Sequence, residues 1–156
     1  MDMFEKRFHH LSHGVFEFAD RTTVVFVTIR TANVGAWLTC DEMHALLREV
    51  WLEARGWLVG YYLLMPTHLH LFATRGALDC ALERWTHFWK RNVTRRLPVG
   101  HPRLAVNHWD TRMRNGQHFT ETWQYVRQNP VRKGLVECPD DWPYQGIIHD
   151  WIYTGP

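Results

Sequence analysis

Two short segments of this 156-residue chain carry residue types that can do chemistry together. In His68-Leu69-His70, imidazoles alternate with an apolar side chain. Strand side chains point to opposite faces in turn, so His68, His70 and Phe72 share one face while Leu69, Leu71 and Ala73 supply a core on the other. Two imidazoles placed this way can converge on one divalent ion at roughly 2.0–2.3 Å each, with a third ligand from elsewhere. They suit hydrogen-bonded positions on a polar sheet face equally well. The second segment holds Tyr125 and Asn129, which lie on one side of a helix at i,i+4 spacing. A phenol can attack phosphorus, but its ordinary pKa of about 10 means that it needs a base, a metal-polarised phosphate or nearby cations. Arg127, Arg132 and Lys133 supply positive charge. The plainer reading makes Tyr125 an aromatic packed on a sheet, with Asn129 capping a further helix that has Pro130 in its first turn.

These residues must be positioned by elements whose periods are readable. Residues 23–30 are dense in β-branched side chains and predict a strand. Asp41 is expected to cap a helix to about Arg55, with Met43, Leu46, Leu47, Val50, Trp51 and Ala54 at helical spacing and Gly56 as its stop. Residues 57–65 and 68–74 read as two strands joined through Pro66-Thr67. A second helix is expected from about Leu78 to Arg96, with Leu82, Trp85, Phe88, Trp89 and Val93 along its apolar stripe. A further strand is expected within Val106 to Met113. A last helix is expected from about Thr120 to near Asn129, because Pro130 disfavours helical geometry in the residue before it. The order β-α-β-β-α-β plus a terminal helix is the α+β, ferredoxin-like (split βαβ) pattern, an antiparallel sheet with helices on one face and the other face left available. Residues 1–22, with His9, His10 and His13, read as a loose N-terminal arm, 23–146 as one domain and 147–156 as a tail.

Composition narrows the class. Hydrophobic residues make up 46% and charged residues 22%, which excludes a disordered or low-complexity chain. The longest apolar stretch, Trp57 to Pro66, is about half of the roughly 20 residues a membrane-crossing helix needs. The mixed charges at the N-terminus, with no apolar signal region after them, point to the cytoplasm. Cys40, Cys80 and Cys138 are too few and too widely spaced for a disulfide framework or a cysteine zinc site. Net charge is only +2, yet Arg84 to Lys133 holds eleven Arg or Lys against two acids, a balance of +9; the remainder has seven against fourteen, −7. Trp85, Phe88, Trp89, Trp109, Phe119, Trp123 and Tyr125 are interleaved with those cations, a mixture suited to a polyanion whose bases can stack. The candidate nucleic-acid contacts are therefore Arg84, Lys90, Arg91, Arg95, Arg96, Arg127, Arg132 and Lys133, the plainer reading being a solvated helical face beside core aromatics.

Leu63-Leu64-Met65-Pro66-Thr67-His68-Leu69-His70-Leu71-Phe72, Tyr125-Val126-Arg127-Gln128-Asn129-Pro130-Val131-Arg132-Lys133-Gly134-Leu135-Val136 and Asp141-Trp142-Pro143-Tyr144 together resemble the single-tyrosine HUH transposases, and among them the REP-associated tyrosine transposases. The resemblance covers roughly residues 23 to 146. It implies a metal-dependent endonuclease and strand transferase for single-stranded DNA with hairpin repeats. Tyr125 matches the nucleophile, His68 and His70 the metal-binding pair and Asn129 the residue completing the Mg²⁺ or Mn²⁺ site; a covalent 5′-phosphotyrosine link is reversed by a 3′-hydroxyl. It also implies a chain able to work as a monomer with Tyr125 acting in cis, the alternative in the wider family being a homodimer in which each tyrosine helix serves the partner's histidine pair. The chain departs from the family pattern at Thr67, where an acid or amide is usual, and at Val106 to Arg112, where an aromatic-rich stretch is usual. His108 and His118 are read as surface histidines, with proton transfer as the alternative for one of them. A non-catalytic nucleic-acid-binding module of the same fold is the competing reading. A zinc hydrolase built on His68 and His70 lacks the helix-borne H-E-x-x-H or a nearby carboxylate.

Overall fold

The computed structural model of the chain describes residues 23–76 and 79–156. The expected N-terminal arm, 1–22, and the expected helix start at Leu78 lie outside those residues. Strand β1 (Val24–Arg30) leads through helix α1 (Asp41–Glu53) to β2 (Trp57–Leu64) and β3 (His68–Arg75), and α2 (Leu82–Arg96) leads to β4 (Trp109–Arg112). Helices α3 (Gly116–Arg127) and α4 (Asn129–Arg132) follow, then a short edge strand β5 (Gln145–Ile147). The sheet order is β4-β1-β3-β2-β5. Because β1 and β2 are both antiparallel to the β3 that separates them, they run parallel to each other with α1 as their crossover. By the same logic β3 and β4 flank β1, with α2 between them in sequence. This is the split βαβ arrangement that the order of elements predicts.

One sheet face buries Val25, Val27, Ile29, Leu69, Leu71 and Ala73 beneath Met43, Leu47, Val50 and Trp51 of α1 and Trp85, Trp89 and Val93 of α2. Residue spacing accounts for both helices, since each buries one stripe at intervals of three and four. Phe88, expected within the stripe of α2, is instead 53% exposed. It precedes Trp89 by one residue, and that rotation carries it to the rim. Helix α1 begins at Asp41 with Cys40 in the capping position and no side-chain cap, so Asp41 and Glu42 act through their charge in the first turn.

The second face is not left open. Phe119, Trp123 and Val126 of α3, with Met113, Trp142 and Trp151, pack on Val24, Leu58, Tyr61, Leu63 and Phe72. Residues 147–156, expected as a tail beyond the domain, contribute Trp151 to this core, its indole N–H donating to the Leu58 carbonyl at 2.9 Å. A bulge in β2 between Val59 and Tyr62 makes both cores possible. The extra residue moves Tyr62 and Leu64 onto the α1 side while Tyr61 and Leu63 face the other way, which is why this strand reads as one unbroken apolar run. Among the described residues no helix is long and apolar enough to cross a membrane.

Candidate active site

Burial along the second face of β1 falls from Val24 through Phe26 and Thr28 to an exposed Arg30. The register places Thr28 opposite His70 and Arg30 opposite His68. The two histidines therefore stand where that face emerges from its core, their ring centroids 4.9 Å apart. Phe26 stacks on His70 at 5.3 Å and closes the pair off from below.

His70 is held at both nitrogens. Asn129 Nδ2, at 3.1 Å, can only donate to Nε2, so in the neutral ring Nδ1 carries the proton and donates to Thr28 Oγ1 at 2.8 Å. The ring is neutral because burial, then the neighbouring His68 and Arg132, push its pKa down to about 3. His68 is lowered too, by burial and then by Arg30 and Lys133; its Nδ1 lies 3.3 Å from Thr67 Oγ1. Two neutral imidazoles are the form in which metal ligands work.

Gln128 alone separates the tyrosine helix from the asparagine. Helix α3 ends at Arg127 and α4 begins at Asn129, with Pro130 in its first turn, so the expected stop near Asn129 falls two residues early. The α3 start differs more, at Gly116 rather than about Thr120, because Asn115 caps it through the His118 N–H at 2.8 Å. His118 Nδ1 in turn accepts from the Arg114 N–H, which gives that histidine a capping role. Arg132 closes the circuit. Its guanidinium donates to Asn129 Oδ1 and lies 4.0 Å from the centroid of the Tyr125 ring, and Tyr125 itself is 66% exposed. Tyr125, Arg132, Asn129 and His70 form one chain of contacts within a single polypeptide.

The remaining basic candidates are distributed differently. Arg84, Lys90, Arg91, Arg95 and Arg96 lie on α2, across the sheet from the histidines. Lys90 donates to the carbonyls of Ala105 and Val106 at 2.8 and 3.0 Å, and burial lowers its pKa to about 8. Arg96 pairs with Glu53 and Glu49 of α1, and Arg95 bonds to Asn92. Arg127 pairs with Asp140 and lies over Trp123, which ties α3 to the turn before Trp142. Lys133 and Arg132 stay at the histidines, joined by Arg30. Arg30 and Thr28 escaped the motif reading. Their signal was two polar residues on the same parity of an otherwise apolar strand.

Among the described residues no cluster of three or more His, Cys, Asp or Glu comes together. An ion at the histidine pair would therefore draw its other ligands from an amide oxygen, phosphate and water.

The split βαβ sheet thus carries the paired histidines on a central strand and a tyrosine-bearing helix packed over the same face. No family model matches the chain. Over 100 residues the chain is 25% identical to a Haemophilus influenzae protein provisionally named REP-associated tyrosine transposase, a match covering 56% of this chain and 57% of the relative. The matched region thus spans little more than half the length of that relative. A solved structure of a REP-associated tyrosine transposase bound to a REP hairpin superposes with a TM-score of 0.67 at 21% identity, covering 85% of this chain and 81% of that one. At that identity the superposition establishes the shared fold. Both similar proteins carry the family name to which the motifs pointed.

Proposed function

We propose that this chain is an endonuclease and strand transferase for single-stranded DNA bearing hairpin repeats, acting in the cytoplasm with Tyr125 as nucleophile. The observation that carries the reading is the contact chain from His70 through Asn129 and Arg132 to an exposed tyrosine. A purely structural aromatic would pack into the core, whereas Tyr125 stands exposed under the guanidinium that reaches Asn129.

The donor set fits the Mg²⁺ or Mn²⁺ that the family implies: His68, His70 and Asn129 would hold it, through lone pairs such as the one His70 Nε2 now offers to Asn129. Such an ion, when bound, polarises the scissile phosphate and offsets the charge that develops there. The chain's own residues do the rest. Arg30, Arg132 and Lys133 hold the phosphate electrostatically, and Arg132 also orients the tyrosine ring. The Tyr125 oxygen bonds to phosphorus as the bond to the 3′-oxygen breaks; the proton lost by the phenol balances the one gained by the leaving 3′-hydroxyl. The 5′ end stays esterified to Tyr125 until a 3′-hydroxyl reverses the exchange, so no water or ATP is consumed.

The test is incubation with single-stranded DNA spanning hairpin repeats near the chain's own coding sequence, plus Mn²⁺, read on a denaturing gel. The unaltered protein should form an adduct. Tyr125→Phe should still bind but yield none, whereas an adduct of equal yield would remove Tyr125 from the mechanism. Absence of any adduct from the unaltered protein would favour the non-catalytic binding module. Because Tyr125 is linked through Arg132 and Asn129 to His70 of its own chain, the reaction is expected in cis within a monomer. Mixing Tyr125→Phe with a His68→Ala, His70→Ala protein should then restore nothing.

A further inference from the structure

Trp109 is 64% exposed on a four-residue strand whose every residue is exposed, an unusual place for the largest apolar side chain. The register puts it opposite Thr28, the residue that on its other side faces His70. Trp109 and His70 are therefore on the same sheet face, two strand spacings or about 10 Å apart. The Arg30 guanidinium lies 5.1 Å from the Trp109 ring centroid, while the backbone of Arg30 is opposite His68. Beside Arg30 and Trp109 is a cleft of about 270 Å³, lined by these two with Ala105, Asn107 and His108.

We infer that this cleft takes one unpaired base of the DNA strand whose phosphate lies at the histidine pair, the base stacking on Trp109 with Arg30 bridging base and backbone. The inference rests on the function proposed above and adds to it a specificity element. Three features support this occupant. The cleft is small for a drug-sized ligand, whose sites run to roughly 300–1,000 Å³, but ample for a single base. Its aromatic wall and cationic rim complement a flat π-system attached to a phosphate. Its far wall is rigid before anything binds, because Ala105 N–H donates to the Arg30 carbonyl, Ala32 N–H to the Arg103 carbonyl, and Lys90 holds the carbonyls of Ala105 and Val106. The half-buried Lys90 thereby shapes the cleft rather than contacting the strand. The 10 Å between Trp109 and His70 is the reach from a phosphate to the base of its own or the adjoining nucleotide.

The probes are oligothymidylate of about a dozen nucleotides and an abasic strand of equal length and charge, with the full chain in Mg²⁺. Trp109→Ala should weaken oligothymidylate binding roughly tenfold while changing abasic binding less than about twofold, and Trp109→Phe should retain most of the affinity. Equal effects of Trp109→Ala on both strands, or none on either, would overturn the cleft. Lys133→Ala, a phosphate contact, should weaken both strands alike. If Lys133→Ala acts and Trp109→Ala does not, only the cleft is lost; if the unaltered protein binds neither strand, the DNA reading falls and the cleft with it. Should Trp109→Ala fail to fold, the unaltered protein decides alone: equal affinity for the two strands would refute a stacked base.

Discussion

His70 shows how much of a site can depend on one hydroxyl. The Asn129 amide and the Thr28 side chain select a single tautomer of the ring, with Nδ1 protonated and the Nε2 lone pair turned toward Asn129 of α4. Outer hydrogen bonds of this kind set ligand orientation and basicity, and their loss typically costs about 10–100-fold in metal affinity. Thr28→Val keeps the shape and removes the acceptor. It should raise the Mn²⁺ concentration needed for half-maximal adduct formation by at least tenfold, and Thr28→Ser should restore it. An unchanged Mn²⁺ midpoint in the valine variant would show that Thr28 does not orient the ring. Arg132 also has two roles, donating to Asn129 Oδ1 and covering the Tyr125 ring.

Strand β2 joins the two cores and is the element least tolerant of change. At its bulge, a Cβ on Gly60 would lie 2.6 Å from Trp151 Cζ2 and 2.8 Å from Cε2. The indole cannot readily withdraw, since its N–H is bound to the Leu58 carbonyl and Phe119 packs against the ring at 6.1 Å. Gly60→Ala should therefore destabilise the protein by about 1–3 kcal/mol, the usual range for overpacking a core. Urea unfolding monitored by tryptophan fluorescence measures this directly, and a midpoint equal to that of the unaltered chain would show that the C-terminal segment yields. Helices α3 and α4 illustrate the opposite tolerance. The break at Gln128 divides the helix that carries the exposed tyrosine from the short one whose asparagine faces His70.

For the molecule as a unit, pH acts mainly through histidines held neutral by their surroundings. Burial is the first cause for all five: His44, His68 and His108 are lowered, His149 falls to about 4 and His70 to about 3. The unfolded chain titrates these groups near 6.5. Between 6.5 and the folded values the unfolded state binds more protons, so stability is highest above pH 6.5 and is lost progressively as pH falls toward 3. With a chelator present, the free energy of unfolding should drop steadily from pH 7.5 to pH 4.5, and His70→Gln should remove part of that drop. An equal drop in the variant would mean that the ring is not held neutral. The net charge of the basic third is likewise shared between two layers: α2 carries its cations on the side away from the histidines, while Arg132 and Lys133 face the site.

Local chemistry was enough to read the order of elements, the alternation that sets His68 and His70 apart from Leu69 and Leu71, and the end of the tyrosine helix before Pro130. Each depends on a period of two or 3.6 residues, or on the geometry of one ring, and such features act over a few neighbours. The covered second face was not legible, because Trp142 and Trp151 meet Leu64 and Leu58 across 78 and 93 residues of sequence, through indole N–H bonds with no local pattern. The division of the basic stretch was hidden for the same reason: summed charge is blind to which side of a sheet a helix packs on. Thr28, Arg30 and Trp109 became site residues only through cross-strand register. Periodicity assigns a side chain to a face, but what stands opposite that face is set by pairing and packing between distant segments, and only the folded chain makes those choices.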